Sequence, residues 1–107
     1  MKVNYPLVCN MGVFSPAQRE AHVLTTTQLF KSVQSVQEAD NGYEFTFPNE
    51  SSLIVRIAEF VANERLCCPF LTFNLNVFPD TEPVSLTLTG PVGTREFLQA
   101  ELDGAFQ

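Results

Sequence analysis

Asp40-Asn41-Gly42-Tyr43-Glu44-Phe45-Thr46-Phe47 decides the fold. Asn and Gly both tolerate positive φ, so Asn41-Gly42 predicts a tight two-residue hairpin turn with strands on either side. Tyr43, Phe45 and Phe47 alternate with Glu44 and Thr46, giving one aromatic face and one wet face. Val33 and Val36 carry the strand before the turn.

The same alternation returns further along. Leu71, Phe73, Leu75 and Val77 interleave with Thr72, Asn74 and Asn76, and after Pro79-Asp80-Thr81-Glu82-Pro83 it resumes as Val84, Leu86 and Leu88. This predicts a second hairpin with one solvated face. Between the hairpins, Leu53, Ile54, Ile57, Phe60 and Val61 form a helical stripe opposite Arg56, Glu59 and Asn63. Pro69 disfavours the helical conformation for Cys68, so this helix is expected to stop at about Cys67.

Two further helices frame the chain. Ser15-Pro16-Ala17-Gln18 combines a serine N-cap, a proline at the first helical position and a glutamine that answers the cap. The helix it starts is expected to bury Ala17, Ala21 and Leu24 and to end near Lys31. Gly90-Pro91 is expected to open a last helix through Phe97, Leu98 and Leu102, closed near Gly104. The whole is a single α+β domain over residues 1–107. It has a mostly antiparallel four-stranded sheet made from two hairpins, helices on one face, and the order α-β-β-α-β-β-α. No βαβ alternation or Gly-rich phosphate loop is present in the sequence, which removes the dinucleotide and P-loop readings.

At 107 residues and 45% hydrophobic, the chain suffices for one core. Twelve acidic side chains against six basic ones give a net charge of -6, and Lys2, Arg19, Lys31, Arg56, Arg65 and Arg95 are scattered singly. This repels phosphate backbones and anionic membrane surfaces, so neither nucleic acid nor a membrane is an expected partner. The first ten residues lack the apolar run of a signal peptide, which favours a cytosolic setting. Three cysteines, an odd number, are then expected to be free thiols. With four strands leaving two sheet edges and ten phenylalanines in a small chain, a homodimer is also expected.

Glu64-Arg65-Leu66-Cys67-Cys68-Pro69-Phe70 carries the chemistry of interest. Together with Leu88-Thr89-Gly90-Pro91-Val92-Gly93, it resembles a family of small bacterial domains. The resemblance implies a single bacterial cytosolic domain and carries with it no activity or cofactor.

Thiolate sulfur selects soft ions, so Cys67 and Cys68 with Cys9 form a candidate metal site. Neighbouring cysteines chelate less comfortably than Cys-x-x-Cys, and His22 is the only histidine to complete a zinc site, so structural zinc is disfavoured. Cys67 is expected on the buried helix face and Cys68 in the more exposed, more reactive position, their side chains diverging. Any ionisation of these thiols would need positive charge, from Arg65 or from Arg19 on the first helix. His22 and Glu64 are taken as ordinary polar side chains, Glu64 solvated.

The favoured reading is a small cytosolic binding module whose cysteines take a soft metal or metalloid ion or sense thiol oxidation. The alternative is a non-catalytic interaction or dimerisation domain with structural cysteines. An enzyme using Cys67 or Cys68 as nucleophile ranks third.

Overall fold

The computed structural model describes residues 7–106. Lys2 and the rest of residues 1–6, on which part of the leader reading rests, lie outside that range. The elements are α1 (Pro16–Phe30), β1 (Ser35–Ala39), β2 (Gly42–Phe47), α2 (Ser51–Cys67), β3 (Thr72–Asn76), β4 (Val84–Thr89) and α3 (Thr94–Glu101). Short 3-10 turns at Met11–Val13 and Asp103–Phe106 flank them. The sheet is antiparallel throughout, in the order β1-β2-β4-β3. This is the expected α+β architecture.

The first hairpin forms, with its turn one residue earlier than the sequence suggests. Ala39 pairs with Gly42, so Asp40 and Asn41 make the turn and Asn41 alone adopts a positive φ of 53°. Gly42 is needed for a different reason. It pairs with Thr89 on β4, and a Cβ there would collide with the backbone carbonyl of Leu88. Gly42→Ala is therefore expected to cost about 1–3 kcal/mol in chemical denaturation, as overpacking of a close backbone contact does.

Alternation then fixes the core. Phe45 pairs with Leu86 and Val36 with Phe45, while Tyr43 pairs with Leu88 and Phe47 with Val84. Tyr43, Phe45, Phe47, Val84, Leu86 and Leu88 are all buried. Helices cover this face. Phe30, at the end of α1, meets Phe45, Phe47 and Phe60 edge-to-face, with ring centroids 5.1 to 5.7 Å apart. Phe106, beyond α3, packs on Tyr43 and Phe45.

The Ser15 cap and its reciprocal bond with Gln18 are present. The buried face of α1 is not the expected one. Ala17, Ala21 and Leu24 face solvent, and His22, Leu29 and Phe30 are buried instead. The reason is tertiary: Phe30 is the residue large enough to reach both sheet and α2, and its position sets the rotation of the helix. α3 begins at Thr94, four residues after Gly90, because Gly93 at φ 100° supplies the cap and Pro91 accepts from the Thr94 amide. No helix among the described residues is long and apolar enough to cross a membrane.

Candidate functional site: a three-sulfur cluster at the end of helix α2

The buried stripe of α2 runs Leu53, Ile57, Phe60, Glu64 and Cys67, at steps of three and four residues. Its last turn needs partners for its free carbonyls. The Cys68 amide donates to Glu64 O at 2.8 Å, closing the helix where Pro69 forbids its continuation. The Asn10 amide donates to Cys67 O, also at 2.8 Å. This second bond docks the segment ahead of α1 against the helix end, and with it Cys9.

All three sulfurs come together there. Cys9 and Cys68 form a disulfide, with Cα atoms 4.7 Å apart. Cys67 is the free thiol, its Sγ 3.7 Å from Cys68 Sγ and 3.9 Å from Cys9 Sγ. Three expectations are thereby corrected. The cysteines are not all free, Cys68 is as fully buried as Cys67, and their side chains converge rather than diverge. Cys68 does leave the helix at Pro69, but its φ of -120° and ψ of 72° turn the side chain inward to Cys9 rather than outward to solvent.

Glu64 is the site residue the sequence reading missed. It is 1% exposed, and its Oε1 lies 3.4 Å from Cys67 Sγ, which donates to it, and 2.8 Å from His22 Nε2. His22 is buried between the rings of Phe14 and Phe60. Among the described residues, His22 Nδ1 and Glu64 Oε2 have no hydrogen-bond partner. Glu101 Oε1 lies 3.4 Å from Cys9 Sγ, a contact that becomes a hydrogen bond only once reduction gives Cys9 a proton. A cavity of about 90 Å³, lined by Met11, His22, Thr26, Glu64 and Glu101, adjoins the cluster.

The electrostatics disfavour a thiolate. Burial first, then the charge of Glu64, its hydrogen bond and the charge of Glu101 push the Cys67 thiol up to about 12. Burial, followed by the charge of Glu64, also raises the Glu101 carboxyl. Arg19 and Arg65 are exposed and do not supply the positive charge considered above.

A nucleophilic Cys67 is thus disfavoured near neutral pH in this form. Iodoacetamide is expected to leave Cys67 of the oxidised, folded protein unmodified at pH 7–8. Prompt alkylation there would contradict the burial. Because the folded thiol holds its proton more tightly than the unfolded one, its contribution to stability is full below pH 9. That contribution falls as the pH rises from about 9 through about 12, which pH-dependent denaturation of the oxidised protein can follow.

Cys9, Glu64, Cys67 and Cys68 form a group that could hold a metal ion, their donor atoms all within 4.8 Å of one another. Cys67, Cys68 and Cys9, the residues singled out from the sequence, are thus neighbours in space. Compared with protein-family models, curated proteins and solved structures, the chain matches none.

Proposed function

We propose that the protein is a small binding module in which Cys9, Cys67 and Cys68 take a soft metal or metalloid ion when reduced and close as the Cys9–Cys68 disulfide when oxidised. The observation that supports this most strongly is the spacing of the sulfurs. Three sulfurs bound to one centre at about 2.3 Å, with tetrahedral angles, would stand about 3.8 Å apart. Cys67 Sγ already stands 3.7 and 3.9 Å from the other two. Opening the disulfide moves two sulfurs from bonding distance to that spacing, so ion binding and oxidation exclude each other. In a reducing compartment such as the cytosol the site would be open to an ion.

Elemental analysis of protein purified under reducing and oxidising conditions tests this. A soft ion retained by the reduced form and lost on oxidation is expected. The reading fails if no soft ion binds the reduced form, or if oxidised and reduced protein bind it equally.

One observation favours a second reading. A disulfide closing 59 residues of chain, beside a buried thiol, also suits an interaction domain with purely structural cysteines. The homodimer belongs to that reading: β3 is a sheet edge, and Leu75, Val77 and Phe78 on and beyond it are exposed. A monomeric mass by light scattering at high concentration would count against the dimer.

A further inference from the structure

We infer that the ligand class of this site is a trivalent metalloid, entering as its neutral hydroxide, the chemistry of arsenous or antimonous acid, and bound by Cys9, Cys67 and Cys68 together. The inference rests on the soft-ion reading above and narrows it. It stands on three features of the site: the number of sulfurs, their burial, and the sign of the charges around them.

Cys67 and Cys68 are fully buried, and Cys9 is half-buried. The ionisable side chains closest to the sulfurs are carboxyls, Glu64 at 3.4 Å from Cys67 and Glu101 at 3.4 Å from Cys9. His22 stands behind Glu64 and is engaged with it. A site of this kind penalises any complex that carries net negative charge, since a buried anion without a partner is expensive.

Counting charge separates the candidate ions. A divalent ion held by three thiolates is left with one negative charge, and with Glu64 as a fourth donor it is left with two. A monovalent ion fares worse. A divalent ion bound neutrally takes two thiolates and leaves the third cysteine unused, although all three sulfurs converge here. A trivalent metalloid with three thiolates is neutral and uses every sulfur.

The reaction balances without any free charge. A dithiol first reduces Cys9–Cys68, giving two thiols and leaving as its own cyclic disulfide. The three thiols then exchange with the hydroxide: three metalloid–oxygen bonds break, three metalloid–sulfur bonds form, and each thiol proton departs with a hydroxyl as water. The neutral hydroxide has a small entry in the cavity of about 90 Å³ lined by Glu64 and Glu101, the two carboxyls that touch Cys67 and Cys9. At about 30 Å³ per water, that is room for a ligand of a few heavy atoms.

The test uses the full chain reduced with a phosphine, with arsenite, zinc and cadmium as probes in competition, read by native mass spectrometry and by titration of the remaining thiols. Arsenite is expected to bind once per chain, to hold against equimolar zinc and cadmium, and to leave no titratable thiol. Single substitutions Cys9→Ser, Cys67→Ser and Cys68→Ser are each expected to weaken it by about 100-fold or more, because each removes one intramolecular bond of the chelate.

A complex whose mass shows fewer than three thiol protons displaced, or a cysteine that remains titratable in it, would overturn the inference, and neither readout depends on any variant folding. Zinc or cadmium bound in preference to arsenite would also overturn it while leaving the soft-ion reading standing. Binding of none of the probes by reduced, folded protein would remove both.

Discussion

Cys9→Ser in the oxidised protein is expected to lower the unfolding free energy by about 4 kcal/mol, the chain-entropy value for a bridge that closes a loop of this length. The sequence separation of Cys9 and Cys68 is 59 residues, which places the whole of α1, the first hairpin and α2 inside the loop. For a domain of about 100 residues that corresponds to a fall in Tm of about 15–30 °C. A bond between Cys67 and the freed Cys68 would recover little, because a loop closed between neighbours removes almost no entropy from the unfolded chain. Denaturation of the wild type with and without reductant provides the matched control. Reduced wild type and oxidised Cys9→Ser should unfold at similar denaturant concentrations, and an unchanged midpoint on reduction would mean that the bridge does not stabilise the fold.

His22→Ala carries the second large expected effect, about 3–5 kcal/mol. The change removes the closer partner of Glu64, which is 1% exposed, and leaves its Oε1 with the Cys67 thiol alone. Stranding a buried carboxyl costs far more than the net worth of the bond it loses. The prediction distinguishes a true pair from two independent polar residues. In a double-mutant cycle, His22→Leu combined with Glu64→Leu should cost clearly less than the two single changes added together. Strict additivity would show that the two side chains are not coupled.

These two expectations arise from features of very different legibility in the sequence. The hairpins could be read because alternation such as Tyr43, Phe45, Phe47 is a local pattern, and the stop after Cys67 because Pro69 acts on its immediate neighbour. The details that failed depend on contacts between distant segments. The face of α1 is set by Phe30 reaching the sheet, and the local spacing of Ala17, Ala21 and Leu24 carries no trace of that. Asn-Gly as a local turn signal points Gly42 to the turn, whereas the residue sits in the strand, in close approach to Leu88.

Glu64 is the instructive case. It falls four residues after Phe60 and three before Cys67, so it lies on the apolar stripe by position, and a strict reading of the period would have placed it inside. Its charge argues the other way, and its burial is accounted for by a partner 42 residues away, His22, together with the Cys67 thiol. A carboxylate on the buried face of an otherwise regular amphipathic helix is thus a usable signal for a polar site. Cys9 had no local signal at all. Its place is set by the disulfide to Cys68 and the backbone bond from Asn10 to Cys67, between segments that the sequence alone does not bring together.

The claim that Cys9, Cys67 and Cys68 act as one site is tested most directly by X-ray absorption at the bound ion in the reduced protein. Three sulfur neighbours in a single shell are expected, falling to two in Cys9→Ser. One or two sulfurs with the remaining shell made of oxygen or nitrogen in the wild type, or a shell unaltered by Cys9→Ser, would contradict it.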